Sequence, residues 1–359
     1  MQRTLDSIVL TNYIKYERLK QIIDYTYSGS SATEINLYID LYPIIRSVYA
    51  DTYQVNYHGF MDLVPLIINI CAHYKYFFNR FYNVKATIYL VAGKNHPDIS
   101  KMLVPEYNFV MQKIENAPTH SIMDDMLDKN MKILSILAPY LPDIHFINTQ
   151  FETSVVMGYI IDKKLNNNPN IIISKDIYPI QIAANDRFEN TIFIKPFKTG
   201  NGEDLSIVIQ SSERQDSWGD FWSFICKERN INPLKESPIH PSNIAPILSI
   251  CGLPERSIKS LIQLRSVYHM IYQVIGNSAT ECSIDSLYST FTDLEGSVPR
   301  HAVENRYHTI NIPYQIDSLY ASSSEALLLK FENKHDPVTV KAICDKYFSN
   351  NIPIMLDKL

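Results

Sequence analysis

Three carboxylates stand where a chain of alternating strands and helices would present them to a ligand. Asp40 ends the apolar run Ile35-Asn36-Leu37-Tyr38-Ile39, Glu152 precedes the helix-like stretch that starts at Ser154, and Asp176 follows Ile171-Ile172-Ile173-Ser174-Lys175. Apolar strands that each end in an acid deliver those acids to one edge of a sheet. In open α/β sheets that carboxyl edge is where ligands collect. Converging carboxylates are hard oxygen ligands, suited to a divalent cation. Each acid also has an ordinary reading as a strand-end or N-cap carboxylate that accepts backbone N–H groups. For Glu152, Asn148 and Thr149 are alternative caps of the same helix.

The elements that must position these acids follow from periodicity. Residues 35–40, 86–92, 144–147, 171–174 and 192–194 read as strands. Between them, 62–82, 122–138 and 154–165 read as helices, the first with Asp62 as a candidate N-cap and Pro65 in its first turn. Strands alternating with helices predict an α/β fold with a mostly parallel central sheet covered on both faces. Ser28-Gly29-Ser30-Ser31 closes an N-terminal helical arm over 1–30. The α/β domain is expected over 31–200 and a helical region over 201–280, with a short strand at 205–209. Residues 281–359 are expected to be irregular, with one helix at 337–348 and a surface for protein partners. The ring-rich end of the first long helix, Tyr74 to Tyr82, carries Lys75 and Arg80. Its rings follow helical spacing, so it reads as a core helix with solvated bases rather than a stacking surface for nucleic acid.

Bulk properties narrow the classes. The 359 residues are 46% hydrophobic and 20% charged, enough for an ordinary packed core. The formal net charge of −5 argues against a protein that coats nucleic acid. The ten histidines lack zinc-ligand spacing, and the five cysteines form no C-x-x-C pair and read as buried apolar residues. There is no signal-peptide pattern, and the apolar run from Leu63 to Ala72 is about half the ~20 residues a bilayer needs. A location in the host cytoplasm or in an assembled particle is expected, with no membrane partner. Gly200-Asn201-Gly202 is a hairpin-like turn rather than a phosphate loop.

From 35 to 265 the order of segments resembles the flap endonuclease family, which includes phage 5′-nucleases. Ile39-Asp40-Leu41-Tyr42-Pro43-Ile44-Ile45-Arg46 is similar to that family's first strand, metal-binding Asp and following Arg. Phe151-Glu152-Thr153-Ser154 is similar to its Glu-Ala-Asp-Asp helix start, and Asp176-Ile177-Tyr178 to its Asp-x-Asp segment. Gly252 to Leu261 resembles a worn helix–three-turn–helix DNA clamp. The resemblance implies metal ligation by Asp40, Glu152 and Asp176, and nucleic-acid contacts by Arg46, Arg256 and Lys259. Asp124, Asp125 and Asp186 are candidates for a fourth ligand.

Several of that family's acids are missing. The second strand ends Leu90-Val91-Ala92-Gly93 where the family has Phe-Asp, and Ser154, Val155 and Tyr178 stand where it has further acids. Two ions about 3.5–4 Å apart require a cluster of carboxylates, and three acids suit one Mg²⁺ at most. The expected function is therefore a catalytically degenerate 5′-nuclease fold in a structural or assembly role, with other proteins as partners in an oligomeric assembly and no cofactor. A composition heavy in Ile, Asn, Lys and Tyr, common in AT-rich viral genomes, adds the expectation of a tailed-phage virion component at the portal–tail region. The alternative is an active Mg²⁺- or Mn²⁺-dependent 5′-nuclease with a reduced metal site. A non-catalytic nucleic-acid-binding module, with affinity that falls steeply with salt, is the third class.

Overall fold

The strands expected from the apolar runs all form, because each is buried on both faces. β1 (Glu34–Asp40), β2 (Lys85–Ala92), β3 (Ile144–Asn148), β4 (Asn170–Ile173) and β5 (Thr191–Lys198) are parallel, and β6 (Asp204–Gln210) pairs antiparallel with β5. The order across the sheet is β3-β2-β1-β4-β5-β6. The structure is a computed structural model. It describes residues 19–20, 23–24, 32–41, 63–93, 118–163, 167–174, 176, 178–198, 204–210, 243, 245–246, 249, 283–286, 300–321 and 334–347, with the side chains of 118–127, 196–198 and 204–210 outside that description.

Successive side chains of a strand point to opposite faces, and the two cores divide accordingly. Leu37, Ile39, Ile88, Leu90, Ile171, Ile173, Ile192 and Ile194 face the first core. There they meet α1 (Leu63–Tyr82), α2 (Pro118–Leu137) and Val340 and Cys344 of α7 (Pro337–Tyr347). Tyr38, Tyr89, Val91, Ile172 and Phe193 face the second core. α3 (Thr153–Asp162), α4 (Ile180–Ala183), α5 (Arg300–Ile310) and α6 (Ile312–Ala321) cover that side. Leu37, Ile88, Ile171 and Ile192 have no exposed surface, and burial of each contributes about 1.5–3 kcal/mol. α1 ends at Asn83, whose φ of 52° takes the left-handed conformation asparagine tolerates.

Residues 281–359 were expected to be irregular apart from one helix at 337–348; α7 is that helix, and α5 and α6 are built into the fold as well. Gln181 of α4 holds the α5–α6 junction. Its Nε2 donates to the Ile310 carbonyl at 3.1 Å, and its Oε1 accepts from the Ile312 N–H at 3.2 Å. Gly158 admits the Ile316 side chain, whose Cδ1 would lie 2.7 Å from a Cβ at that position. Arg187 donates to both carboxylate oxygens of Asp162 at 2.7 Å and to Asp317 at 2.8 Å, and Tyr320 donates to Asp162 at 2.8 Å. α7 is held from the other side, where the Lys334 N–H donates to the Pro139 carbonyl at 2.7 Å and Asp336 caps the helix through the Val338 and Thr339 amides. Of the arm at 1–30, Leu19 and Ile23 are buried against the first core. The region expected to be helical over 201–280 lies, beyond β6, almost wholly outside the described residues. Among the described residues no helix is long and apolar enough to cross a membrane.

Candidate functional site

The sheet order reverses between β1 and β4, and the crevice at their carboxyl ends is the natural ligand position in such a fold. Asp40 stands at that crevice. Tyr38 faces the second core, so Asp40, two residues on, shares its face. The same alternation puts Ser174 on that face, since Ile172 lies in the second core and Ile39 pairs with Ile173. Both are nearly sealed from solvent, Asp40 at 3% and Ser174 at 2% exposure. The Ser174 hydroxyl donates to Asp40 Oδ2 at 2.7 Å and accepts from the Asp176 N–H at 2.9 Å. One serine thus joins the end of β1 to the turn that carries Asp176.

Glu152 reaches the same edge from α3. It occupies the N-cap position with extended backbone (φ −64°, ψ 137°), but its side chain makes no cap hydrogen bond. The ordinary capping reading therefore fails for this acid, and Thr149 instead accepts from the Phe151 N–H at 3.2 Å. Burial, then the charge of Asp176, then that of Asp40 push the Glu152 carboxyl up to about 8. Glu152 thus lies close enough to Asp176 and to Asp40 for each of their charges to act on it.

The strand on the other side of Asp40 is closed. Val91, paired with Asp40, lies in the second core, so Gly93 comes next on the same face. A Cβ at Gly93 would lie 2.4 Å from the Phe151 carbonyl oxygen, 2.5 Å from the Thr153 nitrogen and 2.8 Å from the Thr153 Oγ1. The Gly93 N–H donates to that Thr153 hydroxyl at 3.0 Å. The first turn of α3 therefore rests on bare backbone. Across β2, β1 and β4 this face presents, at the edge, no side chain, one carboxylate and one hydroxyl.

Sequence reasoning passed over Ser174 as a site residue, although strand alternation would have paired it with Asp40. It also passed over Lys195, buried at 8% exposure two residues beyond Phe193 and therefore on the same face one strand further on. Tyr178, which stands in the Asp-x-Asp segment, is buried in the second core. Asp186 is exposed and lies before the start of β5, at the opposite edge of the sheet from Asp40. Asp124 and Asp125 fall within α2, and their side chains lie outside the described residues, as do Arg46, Arg256 and Lys259 altogether. Among the described residues, no group of three or more His, Cys, Asp or Glu is arranged to hold a metal ion. With Gly93 closed and Ser174 bonded to Asp40, Asp40 is the one carboxylate among the described strand-end residues of β2, β1 and β4 on this face.

No family model matches the sequence, and no curated protein matches it. Solved structures do. A bacteriophage T5 protein co-crystallised with metal ions aligns over 86% of this chain and 99% of its own, with a TM-score of 0.50 and 11% identity. A bacteriophage T5 flap endonuclease, in a pseudo-enzyme–product complex with DNA and metal ions, covers 86% and 99% with a TM-score of 0.44 and 12% identity. A T5 5′-exonuclease with divalent zinc ions bound covers 87% and 98%, with a TM-score of 0.44 and 11% identity. The chain has the flap endonuclease fold, a parallel sheet flanked by helices. At this identity the likeness is one of fold, and function belongs to the site.

Proposed function

We propose that this chain is a 5′-nuclease-fold protein that no longer cleaves phosphodiesters and serves a structural or assembly role. The observation that carries this reading is the set of strand ends Gly93, two residues beyond the Val91–Asp40 pair, Asp40 and Ser174, which bear one carboxylate across three adjacent strands. Two-ion cleavage requires carboxylates around two cations about 3.5–4 Å apart. At Gly93 an acid has no room unless α3 moves, and α3 carries Glu152. Composition and the phage origin of the structural neighbours favour a tailed-phage particle, in the portal–tail region, with other proteins as partners in an oligomeric assembly. The chain would then be found in the host cytoplasm or in the virion. Purified protein incubated with flap, nicked and single-stranded DNA in Mg²⁺ or Mn²⁺ is expected to leave all three intact and to sediment as an oligomer. Its recovery only as a free monomer, absent from particles, would count against the assembly role.

A second reading, a metal-dependent 5′-nuclease with Asp40, Glu152 and Asp176 as ligands, is favoured by one observation. The charges of Asp176 and Asp40 both act on Glu152. Mn²⁺-dependent cleavage that Asp40→Ala abolishes would establish it. Non-catalytic nucleic-acid binding through Arg46, Arg256 and Lys259 would show as an affinity that falls steeply with salt.

A further inference from the structure

Carboxylates gathered at a partly buried edge repel one another, and burial raises the cost of each charge. In a metal centre the cation removes that cost. At this edge a protein group stands in the corresponding position. Ser174 is 2% exposed, and its hydroxyl proton is directed at Asp40 Oδ2 over 2.7 Å. Its lone pair receives the Asp176 N–H at 2.9 Å. The proton satisfies one oxygen of the buried acid, Oδ2, while the accepted N–H fixes the turn that carries the second acid. A hydrogen bond to a charged group is among the stronger ones a side chain makes, so the serine can steady the edge without an ion.

We propose that the Ser174 hydroxyl performs at this edge the task of a divalent cation, so that the fold stands without metal, and that Ser174→Asp makes its stability depend on one. This rests on the reading that the chain holds no working ion site. An aspartate at 174 removes the donor and brings another carboxylate against Asp40, in a buried place already within reach of Glu152 and Asp176. Such a cluster is relieved in part by a proton and more fully by a cation between its oxygens. A threonine keeps the hydroxyl and leaves the edge as it is.

The test is urea unfolding of the full chain, followed by circular dichroism, in chelator and in rising Mn²⁺. Wild type and Ser174→Thr are expected to unfold at midpoints that Mn²⁺ does not move. Ser174→Asp is expected to unfold earlier in chelator and to recover with Mn²⁺, its folding constant rising roughly a hundredfold at a cation concentration one hundred times the dissociation constant. If Ser174→Asp does not fold in chelator, folding on addition of Mn²⁺, but not after the change to Ser174→Asn, gives the same answer. A Ser174→Asp protein that ignores Mn²⁺, or matches wild type in chelator, overturns the role given to Ser174. Wild type stabilised by Mn²⁺ as strongly as the variant overturns the loss of the ion site as well.

Discussion

Glu152→Gln should stabilise this protein, and by an amount that grows with pH. The Glu152 carboxyl is held at about 8 against an ordinary 4.5 by burial and by the charges of Asp176 and Asp40. An acid raised on folding binds its proton more tightly in the folded chain than in the unfolded one. The contribution of Glu152 to stability is therefore greatest below the unfolded value, falls as pH rises from about 4.5 to about 8, and levels off above that. At about 1.4 kcal/mol per pH unit, the full loss is about 5 kcal/mol, of which about 3 kcal/mol has gone by pH 7. Glutamine keeps the shape and removes the titration. Urea midpoints at pH 5, 7 and 9 should separate the two proteins progressively, with the variant the more stable and the difference between pH 5 and pH 9 reaching a few kcal/mol. Asp176→Asn, which removes the larger of the two neighbouring charges, should shrink the wild-type slope in part. Parallel pH profiles for wild type and Glu152→Gln would refute the placement of Glu152 in a partly buried acidic edge.

Gly93→Ala should lose at least about 1–3 kcal/mol, because its Cβ meets the backbone of Phe151 and Thr153 rather than a yielding side chain; a denaturation midpoint equal to wild type would mean the strand end is open. Gln181→Leu strands the Ile310 carbonyl and the Ile312 N–H, about 1–3 kcal/mol for each buried group. Hydrogen exchange at the Ile312 amide should accelerate ahead of the sheet. Arg187→Met breaks the pairing with Asp162 and Asp317 at about 2–3 kcal/mol and should expose α6 to protease before α3. Uniform digestion of both helices would show that the ion pairs do not fasten α6.

The sheet was legible because its strands are buried on both faces, and such strands read as apolar runs whose ends can be counted. Asp40 followed from the same runs. The second cover of the sheet was harder to see. α5 buries only Val303, Thr309 and Ile310, and α6 only Ile312, Ile316 and Leu319, too few apolar positions to stand out from a polar chain. Their place is specified instead by Gln181 and Arg187, residues over a hundred positions away whose local sequence says nothing of the contact. Gly93 was legible as a missing acid but not as a closed contact. That depends on the Phe151 carbonyl, which periodicity cannot bring near it. Ser174 could have been found by counting alternate residues along β4, whereas resemblance directed attention to the acid two positions later.

The Gln181 tie at Ile310 and Ile312 has a consequence for biogenesis. A ribosome emits α3 and α4 long before it reaches residue 300, so the outer faces of those helices, around Gly158, await a lid made much later. Until α6 emerges, that greasy surface is open to chaperones or to other nascent chains. Cutting the message short of residue 321 should therefore yield aggregates instead of a smaller stable protein.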